Sequence, residues 1–192
     1  VPRVGVLALQ GDVGEHVSAL ERVGAEVVKV RRAEQLDGLD GLVMPGGEST
    51  TIAHLLDTSG LRAPLRARLD EGLKTFGTCA GLILLSTEIL DGRADQWSFA
   101  KLDVSVRRNG YGRQIASFER VVSVQDVGEV PGVFIRAPKI ESLASEVQVL
   151  ATITDDGGEH AVLVRQGPVW GCSFHPELTS DLRVHQLFVD AL

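Results

Sequence analysis

With 192 residues, 44% of them apolar and 23% charged, the chain has the balance of one globular unit and is long enough to bury roughly 70% of the surface it exposes when unfolded. Its net charge of −7 argues against a nucleic-acid or anionic-membrane partner, and no apolar run approaches the ~20 residues of a membrane span. Two cysteines far apart in sequence supply neither a disulfide framework nor zinc-ligand spacing, no metal or other cofactor is expected, and the N-terminus has no signal-peptide layout, so a reducing cytoplasm is the expected compartment.

Val4 to Leu9 is a continuous apolar run, the pattern of a central parallel strand buried on both faces. Gln10, Gly11 and Asp12 turn the chain. Val13, Val17, Leu20 and Val23 then recur at helical spacing, with Gly24 as the stop. Glu26 to Val30 reads as a second strand, Leu36 to Asp40 as a connector, and Gly41 to Met44 as a third strand. Strand, helix, strand, connector, strand implies a right-handed parallel α/β sheet. Pro45-Gly46-Gly47-Glu48-Ser49-Thr50 follows the third strand directly, where open α/β sheets bind ligands. Ser49 or Thr50 is the expected cap of the helix containing Ile52 to Leu56. Leu61, Leu65, Leu69 and Leu73 mark the core face of the next helix.

That helix delivers the chain to Gly77-x-Cys79-x-Gly81. A strand ends at Phe76, and Leu82 to Ile89 reads as the start of a helix. This is a nucleophile elbow with cysteine at its tip. Glycines flank a sharp turn where side chains would collide with the neighbouring elements. The helix N-terminus favours an anionic sulfur. The Ala80 N–H, paired with a backbone donor from the glycine loop at Gly47, would form an oxyanion hole. The Gly46–Gly47 peptide is easily reoriented.

Beyond the elbow, Asp91 to Ala100 reads as a surface loop, with Trp97 and Phe99 turned to the core. Leu102 to Arg107 and Glu119 to Val124 alternate as antiparallel or edge strands. The Gly-rich stretch from Arg107 to Gln114 lies between them, and an Arg in such a loop can grip a carboxylate. Val133 to Pro138 is a strand ended by proline. Val147 to Thr154 and Ala161 to Arg165 form a hairpin across Asp155-Asp156-Gly157-Gly158. The last strand, Val169 to Phe174, carries Cys172 in mid-strand as a core residue and leads into His175-Pro176-Glu177. Residues i and i+2 of an extended chain face the same side, and the proline holds that form. The imidazole and carboxylate then complete a Cys-His-acid triad: His175 as base and later acid, Glu177 as its orienting partner. Ser180 or Asp181 caps a final helix. His16, His54, His160 and His185 carry no catalytic pattern.

Pro45-Gly46-Gly47-Glu48-Ser49, Gly77-Thr78-Cys79-Ala80-Gly81 and His175-Pro176-Glu177, in this order, resemble the class I, triad-type glutamine amidotransferases. Leu9-Gln10-Gly11 with Glu15-His16, Arg108-Asn109 with Gly112-Arg113-Gln114, Phe134 to Pro138, and Gly171 to Thr179 narrow the resemblance to the glutaminase subunits of pyridoxal 5′-phosphate synthase. The resemblance implies an α/β fold over residues 1–192 as a single glutaminase domain: an open, mostly parallel sheet flanked by helices in three flavodoxin-like layers, with an added antiparallel strand region. It implies hydrolysis of L-glutamine to L-glutamate and ammonia through a Cys79 thioester, and delivery of the ammonia to a (β/α)8 synthase subunit. Gly46, Gly47, Glu48, Ser49, Arg108, Ile135 and Arg136 are then the expected glutamine contacts, and Gln10, Glu15 and His16 the expected partner interface. Three other readings stay open: another class I glutaminase, a free-standing γ-glutamyl or cysteine hydrolase, and a non-catalytic regulatory subunit on the same fold.

Overall fold

The computed structural model describes residues 1–111 and 117–192. Gly112, Arg113 and Gln114, part of the expected Gly-rich loop, lie outside the described residues. Strand β1 (Arg3–Leu7) pairs in parallel with β2 (Glu26–Val30) on one side and β3 (Gly41–Met44) on the other. Parallel pairing continues from β3 to β4 (Lys74–Thr78) and from β4 to the last strand of the chain, β12 (Val169–Cys172). From β12 the sheet turns antiparallel, through β11 (Gly158–Gln166), β10 (Gln148–Asp155), β7 (Ser117–Val124) and β8 (Gly128–Ile135). A separate three-stranded sheet joins β5 (Ser86–Ile89), β6 (Leu102–Arg107) and β9 (Lys139–Leu143).

The apolar runs form the centre because alternate residues of each strand feed opposite layers. Val4, Val6, Val43 and Phe76 pack with residues of α1 (Val13–Arg22) and α5 (Arg183–Asp190). Leu7, Leu42 and Met44 pack with α2 (Ser49–Thr58), α3 (Arg62–Asp70) and α4 (Ala80–Leu85). Leu61, Leu65, Leu69 and Leu73 are all buried in this second layer, as their spacing predicts.

Several local expectations are corrected. The elbow helix does not run to Ile89. It stops at Leu85, and Ser86 begins β5, with its Oγ donating to the Ile83 carbonyl at 2.7 Å. A six-residue helix suffices because both its ends are held by tertiary packing rather than by helix propensity. The cap of α2 is neither Ser49 nor Thr50 but Glu48, whose carboxylate accepts from the Thr50 and Thr51 N–H groups. The strand expected over Val133 to Pro138 begins at Gly128, ends at Ile135 and includes Pro131. Proline is admissible there because β8 is the edge strand of its sheet. Strand β9 carries no alternation strong enough to announce itself.

Candidate active site

The site is built on the carboxyl ends of three adjacent parallel strands. β3 runs into Pro45-Gly46-Gly47, β4 into Cys79, and β12 into His175. The Cys79 N–H donates to the Cys172 carbonyl at 2.8 Å, tying the elbow to the neighbouring strand. Cys79 has φ 51° and ψ −106°, a strained conformation for a residue with a Cβ and the mark of an elbow tip. The glycines around it are sterically required. A Cβ on Gly77 would lie 2.6 Å from the Gly81 carbonyl carbon, and one on Gly81 would lie 2.0 Å from the Met44 carbonyl oxygen. A Cβ on Gly46 would lie 2.7 Å from His175 Cε1 and 3.3 Å from Cys79 Cβ. The glycine loop therefore presses directly on both reactive side chains.

His175 and Glu177 are both buried, and His175 Nδ1 donates to Glu177 Oε1 at 2.5 Å. The His175 N–H donates to the Val133 carbonyl at 2.8 Å, so β8 steadies the base from the far side. Burial works against a charged imidazole, but Asp12, Cys79 and Glu177 around it win, and His175 is pushed up to about 12. Burial pushes the Glu177 carboxyl up, opposed by its bond to His175. Nδ1 is occupied by the acid, so Nε2 is the nitrogen left to serve the sulfur, which is the polarity a triad needs.

A buried network lies behind the acid. His16 Nε2 is 3.4 Å from Glu177 Oε2 and 3.1 Å from Thr78 Oγ1, and His16 Nδ1 is 2.9 Å from His185 Nε2. Burial first, then His185 and His175, hold the His16 imidazole well below its usual range, and burial lowers His185 to about 4. Both rings are therefore neutral near pH 7. Nε2 of His16 faces Glu177 and the Thr78 hydroxyl, and its Nδ1 shares one proton with His185 Nε2. This corrects the assignment of His16 to a partner interface: it is fully buried in its own chain, because α1 packs that face onto the end of β4. Glu15 is exposed on α1 and Gln10 partly so. Gln10 also faces inward, its Oε1 accepting the Glu48 N–H at 2.9 Å.

Four residues expected to contact substrate are fixed by hydrogen bonds of their own. Gly46 is held by its carbonyl, which accepts from the Asp12 N–H at 3.0 Å. Glu48 is exposed. A desolvation penalty acts upward on it, but the hydroxyl and N–H donors of Thr50 and Thr51 outweigh that and draw its carboxyl down to about 2. Arg108 places Nη2 3.5 Å from Glu48 Oε1 and donates from Nη1 to Gln96 Oε1 at 3.2 Å. Gln96 Nε2 in turn donates to Ser49 Oγ at 3.1 Å. Arg108, Glu48 and Ser49 thus form one polar rim. Ile135 and Arg136 are exposed and follow Val133, whose carbonyl holds the base; Arg136 has φ 44°. Gly47 and Ala80 stand at the ends of β3 and β4, where the hole was expected. Sequence reasoning missed Gln96, which it placed in a plain surface loop, and Asp12, which it read only as part of a turn. Cys172 is buried with its thiol donating to the Phe174 carbonyl at 3.3 Å, in the core as its mid-strand position indicated.

Residues 6–192 match the SNO glutamine amidotransferase family. The chain belongs to that family. Among curated members, the pyridoxal 5′-phosphate synthase subunit PdxT of Rhodococcus jostii (strain RHA1) is 53% identical over 98% of this chain and 96% of the relative. PdxT of Parafrankia sp. (strain EAN1pec) is 56% identical over 98% and 92%. A solved structure described as a glutamine amidotransferase superposes with a TM-score of 0.90 at 49% identity, covering 97% of each chain. PurLQS from Thermotoga maritima, at 16% identity and a TM-score of 0.72, shares the fold alone. The family assignment bears out the class I amidotransferase fold. Among the described residues, no helix is long and apolar enough to cross a membrane.

Proposed function

We propose that this chain is the glutaminase subunit of a pyridoxal 5′-phosphate synthase: it hydrolyses L-glutamine to L-glutamate and ammonia and passes the ammonia to a (β/α)8 synthase subunit for vitamin B6 biosynthesis. The observation that carries the reading is a strained elbow cysteine packed beside a carboxylate-paired histidine, in a chain matched nearly end to end by PdxT relatives. Residues 1–192 act as one glutaminase domain. The free state of both cysteines suits a cytoplasmic location.

The Cys79 sulfur attacks the side-chain amide carbon of glutamine. The oxyanion is received by the N–H groups of Ala80 and Gly47. His175, charged and held by Glu177, protonates the leaving nitrogen, and ammonia departs from a thioester. His175 then takes a proton from water, which hydrolyses the thioester to glutamate and releases the Cys79 sulfur beside a charged His175. Glu48, Ser49, Arg108, Ile135 and Arg136, with the glycine loop, bind the amino-acid end of the substrate. Arg108 supplies the bidentate cation for its α-carboxylate.

The Gly46–Gly47 peptide is the adjustable half of the hole. The turn from β1 to α1 holds its carbonyl through the Asp12 N–H, and the Gln10 side chain holds the next peptide through the Glu48 N–H, so a partner touching Gln10 and Glu15 has a direct route to the donor. The test is glutamate release from L-glutamine by the purified chain, alone and with its synthase subunit. Low activity alone and a clear rise on addition of the partner are expected. Full activity alone, indifferent to the partner, would point to a free-standing hydrolase.

Arg108→Ala should chiefly raise KM, on the order of tenfold to a hundredfold for the loss of a charge-assisted pair, with kcat within a few-fold. An unchanged KM in that variant would remove Arg108 from the substrate site.

A further inference from the structure

Asp12 stands at the N-cap of α1, where an aspartate normally accepts a hydrogen bond from the first turn of its own helix. Here its side chain makes no such bond. The carboxylate is instead turned across the turn into the active site, with Oδ2 3.3 Å from His175 Nδ1. It passes close by the glycine at 46: a Cβ there would lie 3.1 Å from Asp12 Oδ2, a tight contact. Its main-chain N–H is bound to the Gly46 carbonyl, which fixes the residue from the other side. His175 Nδ1 therefore carries one proton and faces two carboxylates. Glu177 holds the shorter bond from a fully buried position, while the Asp12 side chain is about 33% exposed.

We propose that Asp12 is a positioning residue for the base: it sets a second carboxylate beside the Nδ1 proton that His175 gives to Glu177, extends the pH range over which the imidazolium persists, and links that charge to the placement of the N-terminus of α1. This rests on the reading of Cys79, His175 and Glu177 as the triad. Asp12 touches the sulfur's partner and not the substrate, so its effect falls on turnover rather than on glutamine binding. The ionisable groups facing His175 are Cys79 from the elbow, Glu177 from its own segment, Asp12 from the start of α1, and His16 from within α1, which is neutral. Asp12 is the one carboxylate of this set that solvent or a docked partner can reach, whereas Glu177 is sealed.

The sign follows from the charges. An anionic Asp12 stabilises the imidazolium, so neutralising it lets His175 lose its proton at lower pH. The experiment compares the full chain with Asp12→Asn, which keeps the shape without the charge, and Asp12→Glu, which keeps the charge. The 15N signals of the His175 ring are followed through the alkaline range, alongside steady-state kinetics with the synthase subunit present. The Asp12→Asn variant should deprotonate His175 on the order of one pH unit lower. The alkaline limb of its kcat profile should move down by the same interval while its KM stays put, and Asp12→Glu should recover much of both effects. Identical ring titrations in the parent and Asp12→Asn would overturn the proposal. Equal losses in Asp12→Asn and Asp12→Glu, with no titration shift, would reduce Asp12 to a structural turn residue. Cys79→Ala run alongside separates this from the triad reading: turnover surviving in that variant defeats the triad, whereas the ring titration judges Asp12 without any turnover.

Discussion

Replacing Cys79 with alanine should abolish glutamate release while leaving the protein folded. The sulfur is the only atom at the elbow able to form the thioester, and no other nucleophile occupies the tip of the turn. Removing the nucleophile of a triad typically costs 10³-fold or far more, and the remainder comes from binding and the oxyanion donors. Alanine keeps the Cβ and therefore the strain at φ 51°. The loss in stability is limited to one buried sulfur, about 1 kcal/mol. The check is glutamate production against the parent, with a thermal melt on the same sample. A variant that melts normally and releases no glutamate supports the assignment. One that melts normally and still turns over glutamine refutes it.

The largest structural effect should come from Gly81→Ala. Helix α4 crosses the end of β3 so closely that the new methyl would sit 2.0 Å from the Met44 carbonyl oxygen, within a van der Waals radius of backbone. Neither partner is a flexible side-chain end. Met44 is the last residue of β3, held by its pairing to Gly77 of β4, and Gly81 is in the first turn of α4. Relief requires moving the helix off the sheet, which also moves Cys79 and the Ala80 N–H. Overpacking of this kind costs 1–3 kcal/mol and more where backbone cannot yield. We expect about 3–5 kcal/mol, a fall in Tm of roughly 10 °C for a chain of this size, and loss of activity beyond what the lost stability explains. Gly14→Ala is the control. Gly14 lies in α1, nothing stands within 4 Å of its would-be Cβ, and the substitution should be neutral or stabilising by up to about 1 kcal/mol. A Gly81→Ala protein melting within a degree or two of the parent would show that the elbow is not rigidly seated.

The fold and the candidate triad were legible for local reasons. A strand buried on both faces is a continuous apolar run, so β1 and β3 announce themselves, and Glu26–Val30 was read to the residue. A hairpin needs a turn with glycine, and Asp155 to Gly158 supplies it. The elbow is legible because a sharp turn excludes Cβ atoms at fixed offsets from its tip, and His175-Pro176-Glu177 because two residues in extended chain share a side. Each of these signals spans at most a few residues. Helix α4 misled for the opposite reason. Leucine and isoleucine continue smoothly through Leu85, and nothing nearby says that Ser86 pairs with Leu102 in a second sheet.

From the sequence alone came the class of sheet, the candidate nucleophile, base and acid, and the loop that faces them, because each of these is encoded in short-range periodicity or turn chemistry. The tertiary structure alone decided what surrounds the acid and the base. His16 and His185 are lone histidines without spacing, and they meet because α1 and α5 pack on the same face of the sheet beside β4. Asp12 looks like any helix cap until the fold sets its carboxylate beside His175. Gln96 joins Arg108 to Ser49 across a loop that reads as plain surface. Contacts between residues far apart in the chain depend on how layers stack. No periodicity records that, because the residue types used, a histidine, an aspartate and a glutamine, are as common on solvated surfaces as in sites.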